Sequence, residues 1–407
     1  MCFMLATSGP AHLPCPLHYA PALRSLSAMP RTQASSTLIK GRATVEGTRA
    51  LRKHFAKSRT ENFYRTLASG TYVSSLGLGT YLGECDDEED ARYTNAASTA
   101  LTCGVNLLDT SINYRCQRSE RALGDAIQKT VGDGKIKREQ IVVCTKGGYI
   151  PLDRNPPATK EEYRSFLRDE YFLRGVMDPA DVIASGHCLT AKFLDDQIER
   201  SRGNLGLETL DVYYLHNPEQ ALDVLSREQF LTLVRDAFAG LERAVESGSI
   251  GCYGCATWNG FRVAPESRNH LSLEELVSLA HEVAGKGHHF AVVQLPINLA
   301  MTEAVRVQTQ CVGRDRVSLL EAAHRLGVSV IASATLMQSQ LAQGLPPQVH
   351  SAFPGFTTDA RRAIAFTQSL PVSAALVGMK SVSHLEENLA SASPLPSPSS
   401  SVSPGVS

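Results

Sequence analysis

Short apolar runs alternate with longer amphipathic stretches along most of the chain. Each run is rich in β-branched or other apolar residues and is bounded by turn-forming residues, which is typical of buried strands. We predict eight strands: Ser75–Thr80, Gly104–Thr110, Ile141–Lys146, Leu210–His216, Ile250–Thr257, Phe290–Ile297, Val328–Thr335 and Ser373–Gly378. The stretches between and after them are predicted as helices: Asp87–Cys103, Ser119–Val131, Ala191–Leu205, Glu228–Ser247, Ser272–Lys286, Arg316–Leu326, Thr358–Ser369 and Val382–Ser391.

This order of elements defines the fold class. Several predicted helices are followed by a glycine, as at Gly104 and Gly248, and glycine is common at helix C-termini. Eight strand–helix units predict an α/β protein of the closed (β/α)8 TIM-barrel type. A doubly wound open sheet is the alternative, but it usually has fewer units and a Gly-rich first turn. The nearest such turn, Gly77–Gly83, misses the GxGxxG spacing by one residue, so we interpret it as the end of the first barrel strand.

The two ends of the 407-residue chain differ from its middle. Residues 1–45 contain no Asp or Glu and many Ser, Ala and Pro, which resembles an organelle transit segment for a plastid or mitochondrion; an unselected leader is the alternative. We predict three parts: a basic, acid-poor N-terminal extension (1–60), the barrel (61–392) and a Ser/Pro-rich tail (393–407). Both ends are expected to be disordered, and residues 1–45 and 393–407 to be dispensable for folding.

Composition excludes several function classes. The net charge of −1 gives no argument for a nucleic-acid or membrane partner, and no apolar run approaches the roughly 18 residues of a membrane span.

Ten scattered cysteines are typical of reduced thiols in a soluble intracellular protein, cytoplasmic if the N-terminus carries no organelle signal. Cys252 and Cys255 form a CxxC, but on one strand they would face opposite sides. We therefore predict no metal site.

Chemistry-bearing residues fall at the ends of three consecutive predicted strands. Asp109, Lys146 and His216 come at or next to the last residue of strands two, three and four, and Tyr114 lies in the loop after Asp109. Because the C-terminal strand ends of a barrel form one rim, we expect all four to converge. A phenol with its free pKa of about 10 is a poor proton donor near neutrality, and a nearby ammonium lowers that pKa. This set fits carbonyl reduction. A metal-dependent hydrolase is disfavoured, because no second His or carboxylate accompanies His216 at ligand spacing.

Four segments resemble the aldo-keto reductase superfamily, and the likeness runs from about Arg65 to Ala392. They are Gly104–Gly124 (GVNLLDTSINYRCQRSERALG), Thr145-Lys146, Leu215–Pro218 (LHNP) and Gly378–Asn388 (GMKSVSHLEEN). Their details are closer to the branch of voltage-channel β-subunits and bacterial oxidoreductases than to the aldose-reductase branch.

The resemblance implies a reaction and a cofactor. It implies hydride transfer between a nicotinamide and a small aldehyde or ketone, with Tyr114 as general acid and Lys146, Asp109 and His216 in support. NADPH is expected, NADH less so, because Lys380 suits a 2′-phosphate. The implied cofactor contacts are Gly79, Thr80, Asp109, Gln294, Leu336, Gly378, Lys380, Ser381, His384, Glu387 and Asn388. The expected substrate pocket is lined by Tyr81, Tyr149 and Trp258. The alternative is a cofactor-bound regulatory or binding subunit with little turnover.

The chain departs from the family pattern in three places. Ala256 and Thr257 stand where the family usually has a Ser-Asn pair that binds the carboxamide. Ser333-Ala334-Thr335-Leu336 replaces the usual Tyr-Ser-Pro-Leu, and the stacking aromatic is lost. The insert Pro151–His187 is expected to form a loop over the catalytic rim, as lids do.

Overall fold

A computed structural model of the protein describes residues 38–183 and 186–390. Residues 1–37 and the tail 393–407 lie outside the described residues, so the transit segment and the disordered tail stay predictions.

The strands occur in the following order. They are β1 (Tyr64–Thr66), β2 (Tyr72–Ser74), β3 (Leu76–Gly79), β4 (Leu107–Asp109), β5 (Val142–Gly147), β6 (Leu210–His216), β7 (Ile250–Ala256), β8 (Phe290–Pro296), β9 (Gln310–Val312), β10 (Asp315–Val317), β11 (Ser329–Ser333) and β12 (Ala374–Gly378).

The α-helices lie between and after these strands. They are α1 (Val45–Phe55), α2 (Asp87–Thr102), α3 (Arg118–Gly132), α4 (Lys160–Leu167), α5 (Ala191–Leu205), α6 (Arg227–Glu246), α7 (Leu273–Ala284), α8 (Glu303–Arg306), α9 (Leu319–Arg325), α10 (Pro347–Ala352), α11 (Asp359–Gln368) and α12 (Val382–Ala390).

Eight strands close into a parallel barrel in the order β3-β4-β5-β6-β7-β8-β11-β12, and β12 pairs with β3. These are the eight predicted strands, with ends that differ by at most three residues. Gly104 and Gly248 follow helices with φ of +90° and +79°, the left-handed conformation that glycine adopts most readily. The (β/α)8 barrel predicted from the sequence is confirmed.

Side chains alternate across the barrel wall, as the strand period requires. On β6, Val212 and Tyr214 belong to the apolar cluster inside the barrel, whereas Tyr213 and Leu215 pack in the cluster that includes the surrounding helices. Cys252 and Cys255 on β7 are divided between the same two clusters. The two thiols therefore face opposite sides of the wall, as predicted.

The packed chain begins before residue 61. Ile39 forms a β-bridge with Leu207, and the Ala43 N–H donates to Asp211 Oδ1 over 2.7 Å. Helix α1 begins at an N-cap, Thr44, and buries Leu51 in the main core. Antiparallel β1 and β2 then place Leu67 and Val73 in the interior cluster at the N-terminal end of the barrel. Residues 39–55 therefore pack on the barrel, although they lie within the predicted N-terminal extension (1–60).

Two other segments differ from the sequence predictions. The insert between β5 and α5 is not a bare loop, because it contains α4 and a π-helical turn, Arg168–Phe172. It also packs an apolar cluster around Tyr171 that includes Phe193 of α5. The helix predicted from Arg316 begins only at Leu319, because residues 315–317 pair with β9 in a hairpin and Ser318 caps the helix.

Within residues 38–183 and 186–390, no helix is long and apolar enough to cross a bilayer.

Replacement of Leu51 by Ala tests whether α1 is part of the fold. The side chain is 4% exposed, so Leu51→Ala should lower the free energy of unfolding by about 2–5 kcal/mol through lost burial and a cavity. Lys53→Ala, at an exposed position of the same helix, should change it by less than about 0.5 kcal/mol. Urea denaturation measures both, and equal effects would mean that α1 adds little to the barrel.

Candidate active site

A buried ion pair occupies the centre of the C-terminal rim. Lys146 Nζ, on β5, donates to Asp109 Oδ1 over 2.6 Å and to the Thr110 carbonyl oxygen over 2.7 Å. Gln294 Nε2, on β8 across the barrel, donates to Asp109 Oδ2 over 2.7 Å. Burial raises the pKa of Asp109 despite Lys146, yet both of its oxygens accept a hydrogen bond, so we assign the carboxylate form. Burial alone would lower the pKa of Lys146, but Asp109 and Tyr114 outweigh it, and the ammonium stays charged.

Tyr114 lies beside this pair, in the loop between β4 and α3. Its ring centroid is 5.0 Å from Lys146 Nζ, and its N–H donates to the Ser111 carbonyl oxygen over 3.0 Å. Burial raises the pKa of the Tyr114 hydroxyl, Lys146 lowers it, and the net direction is upward. The contribution of Lys146 thus has the sign expected from the sequence, but desolvation is the larger effect.

His216 ends β6 and faces Tyr114. Its Nδ1 lies 3.2 Å from Ser111 Oγ, and its ring meets those of Tyr149 and Tyr114 edge-on, with centroids 4.9 and 5.8 Å away. Burial lowers the pKa of His216 well below its usual range, and the charge of Lys146 lowers it further. The imidazole is therefore neutral.

The end of the insert is anchored directly behind His216. His187 Nε2 donates to the His216 carbonyl oxygen over 2.7 Å, since a carbonyl can only accept. Burial lowers the pKa of His187 to about 4, so this imidazole is also neutral. Tyr149 packs against both imidazoles, and its hydroxyl accepts from Asn217 Nδ2 over 2.9 Å. The insert thus braces the rim from the side.

Two loops carry the other predicted pocket residues. Tyr81, 45% exposed, packs its ring against Tyr114 with centroids 5.0 Å apart. Trp258 is 42% exposed, and the backbone N–H groups of residues 258–260 all donate to Oε1 of the buried Glu219. Burial raises the pKa of Glu219, while those backbone donors lower it. Tyr81 and Tyr149 therefore meet the catalytic candidates directly, whereas no hydrogen bond or ring contact joins Trp258 to them within the described residues.

Several buried hydroxyls at the rim have no hydrogen-bond partner within the described residues. They belong to Thr110, Thr257 and Thr335, which follow β4, β7 and β11. A buried hydroxyl without a hydrogen bond lowers the stability of the fold. Such groups at the rim therefore favour the binding of a ligand whose polar groups can form the missing hydrogen bonds. Ala256, beside Thr257, brings no such group. A carboxamide of the kind that the sequence resemblance implies would meet this need at Thr257.

The predicted adenosine segment follows β12. Lys380 Nζ donates to Oε1 of Glu89, a buried residue in the first turn of α2. Ser381 Oγ bonds to Ser383 Oγ over 2.7 Å, and Glu387 Oε1 accepts from the α11 cap, Thr358, over 2.6 Å. Lys380, Ser381 and Glu387, three of the residues expected to bind adenosine, thus have partners within the protein.

The remaining predicted cofactor contacts lie around this region. Gly79 pairs in register with Asp109 on one side and Gly378 on the other, and the Thr80 hydroxyl donates to the Asp109 carbonyl oxygen over 3.2 Å. Leu336 packs against the main core. His384 is exposed on α12, and Asn388 is buried there.

Sequence reasoning missed four residues that shape the site. Ser111 lies inside the recognised segment Gly104–Gly124, and Glu219 directly follows Leu215–Pro218, so the position of each could have indicated a role. Glu89 and His187 are far from those motifs in the sequence and meet the site only through the fold. Among the described residues, no group of three or more His, Cys, Asp or Glu side chains could hold a metal ion.

Comparison with known proteins identifies a family likeness. A family model described as "Aldo/keto reductase family" matches residues 75–349, more than half of the chain. D-threo-aldose 1-dehydrogenase of Pseudomonas sp is 26% identical over 193 residues, which cover 45% of this chain and 52% of that protein. NADH-specific methylglyoxal reductase of Escherichia coli (strain K12) is 24% identical over 212 residues, which cover 50% and 53%. The chain thus spans about half the length of these curated relatives.

Solved structures share the fold. An aldo/keto reductase from Klebsiella pneumoniae, in complex with NADP and acetate, superimposes with a TM-score of 0.53 at 18% sequence identity. The match covers 82% of this chain and 91% of that one.

Proposed function

The chain belongs to the aldo/keto reductase family, and from this premise we propose that it is an NADPH-dependent oxidoreductase that interconverts a small aldehyde or ketone and its alcohol. The observation that carries the proposal is the contact of Lys146 with both Asp109 and Tyr114 at one rim. A reduced nicotinamide, when bound, would supply the hydride. Thr257, Thr335 and Gln294 are the proposed contacts for its carboxamide end.

The protein's part is to deliver a proton and stabilise charge. Tyr114 donates its hydroxyl proton to the carbonyl oxygen, and the Lys146 ammonium stabilises the phenolate that remains. Asp109 holds Lys146 in place and keeps it charged. A positioned acid of this kind typically contributes about 10²–10⁴-fold to the rate.

We assign His216 an orienting role. The Ser111 hydroxyl, which has one proton, also lies 2.6 Å from Asn113 Oδ1. The proposal requires the Asn113 amide to be turned over, so that its nitrogen donates to Ser111 Oγ and the Ser111 proton goes to His216 Nδ1. The imidazole proton is then on Nε2, where it can bind the substrate oxygen. The low pKa of His216 favours a neutral donor that does not compete with Tyr114 as the acid. Tyr81 and Tyr149 then line the pocket beside the reacting carbonyl.

A binding or regulatory subunit with little turnover is the second candidate. Ala256 favours it, because a methyl group cannot bind the carboxamide. Loss of NADPH absorbance against a panel of carbonyls that includes methylglyoxal and aldoses separates the two functions. Turnover supports the reductase, whereas tight cofactor binding without turnover supports the subunit.

Tyr114→Phe tests the proposed acid. The ring and its packing stay, but the proton is lost, so kcat should fall by roughly 10²–10⁴-fold. NADPH affinity should stay nearly unchanged. Tyr81→Phe is the matched control, because it removes a hydroxyl from the adjacent ring and should keep most of the activity. Wild-type turnover by Tyr114→Phe would contradict the assignment and point to His216 as the donor.

Lys380→Met tests the choice of cofactor. If Lys380 binds a 2′-phosphate, its loss removes a charge-assisted hydrogen bond worth about 1.5–3 kcal/mol. The dissociation constant for NADPH should rise by roughly one to two decades at ~1.4 kcal/mol per decade, and that for NADH should hardly change. Fluorescence titration with both cofactors measures this difference.

Glu89→Gln is the counterpart of that variant. It keeps the shape of the partner of Lys380 but removes its negative charge, so NADPH should bind more tightly and NADH about equally well. Equal losses for both cofactors in Lys380→Met would mean that Lys380 supports the loop instead of binding the phosphate.

A further inference from the structure

Two cysteines from different loops meet at the edge of the candidate pocket. Cys85 is exposed in the loop between β3 and α2, and Cys116 is partly buried in the loop between β4 and α3. Their Sγ atoms are 3.9 Å apart. A disulfide needs an S–S distance of about 2.05 Å, so the two sulfur atoms must move closer before a bond can form.

Charged contacts hold the two loops together on both sides of the thiols. Arg115, next to Cys116, donates to the carbonyl oxygen of Glu84 over 2.7 Å and to Asp90 Oδ1 over 2.6 Å. Arg118 donates to Asp87 Oδ1 over 2.9 Å. These neighbouring bonds already hold the two thiols in contact. A disulfide between them would therefore cost little further conformational entropy of the two loops.

The local charge favours reaction at Cys85. The contact with Cys116 is the main cause that lowers the pKa of Cys85 to about 7, and the guanidiniums of Arg115 and Arg118 lower it further, against burial and Glu84. The Cys116 contact and burial raise the pKa of Cys116. Exposed Cys85 is therefore suited to attack as a thiolate, and Cys116 to follow as the resolving thiol.

We infer that Cys85 and Cys116 form a redox-active pair that a peroxide converts into a disulfide and a dithiol restores. The Cys85 thiolate attacks hydrogen peroxide and becomes a sulfenic acid as the O–O bond breaks and hydroxide leaves. The Cys116 sulfur then displaces the sulfenic hydroxyl, and the S–S bond forms. The hydroxide and the displaced hydroxyl take up the two thiol protons, so two thiols and one peroxide give one disulfide and two waters.

The position of the pair gives the bond a consequence for the pocket. Tyr81 lies in the same loop as Cys85, and Tyr114 is two residues before Cys116, in a segment where residues 115–117 all have positive φ. The disulfide ties together the two loops that carry this pair of rings. Oxidation should therefore change the KM for carbonyl substrates. The thiol chemistry itself does not depend on the proposed reductase function.

Peptide mass spectrometry of the full chain tests the inference. After treatment with a small excess of hydrogen peroxide, the expected product is a peptide pair linked through Cys85 and Cys116, reversed by dithiothreitol. Cys311→Ser, at the other exposed cysteine among the described residues, is the matched control and should leave the product unchanged. Cys116→Ser should instead leave a sulfenic acid at Cys85 that dimedone traps.

Other outcomes overturn the inference. They are direct oxidation of Cys85 to a sulfinic acid in the wild type, a link from Cys85 to any other cysteine, or no reaction at Cys85. The KM measured on the same oxidised sample, with Cys85→Ser as control, tests the effect on the pocket separately. A KM change that persists in Cys85→Ser must come from another thiol.

Discussion

The ion pair of Lys146 and Asp109 is the interaction on which the rim depends. Burying two charges at the end of a barrel carries a large desolvation free energy unless each charge has further hydrogen-bond partners. Here Gln294 donates to the second carboxylate oxygen, and the Thr110 carbonyl accepts a second bond from the ammonium. These bonds join the ends of β4, β5 and β8 across the barrel. Such a pair contributes little to stability compared with apolar residues, so its presence is best explained by the chemistry that a fixed buried charge permits.

The elements around the pair hold the reacting groups still. Arg115 fixes the loop that carries Tyr114 through a hydrogen bond to the Glu84 carbonyl oxygen. His187 donates to the carbonyl oxygen of His216. Glu219 accepts hydrogen bonds from the backbone N–H groups of the Trp258 loop. Each brace comes from a different βα loop. A barrel can therefore change its substrate through these loops while the central charges stay in place.

The sequence predicted the barrel because strand and helix periodicities are strong where both faces are buried. It also predicted which strand ends carry Asp109, Lys146 and His216. It failed at α1, because one amphipathic helix after an acid-poor leader looks like part of that leader. It could not give the net pKa of Tyr114, since desolvation depends on packing by distant residues. The pairing of Lys380 with Glu89 could not be predicted either, because the two residues are 291 positions apart in the sequence.

The central claim is that the charge of Lys146 lowers the pKa of Tyr114 against the larger effect of burial, and the pH profile of kcat/KM tests it most directly. In the direction of reduction, the rate should fall as pH rises through the pKa of Tyr114, because the proton donor is lost. Lys146→Met removes the influence that lowers this pKa, so the account predicts a slower enzyme whose alkaline limb lies at higher pH. A slower enzyme with an unchanged alkaline limb would contradict it, and Lys146 would then act only by supporting the structure of the rim.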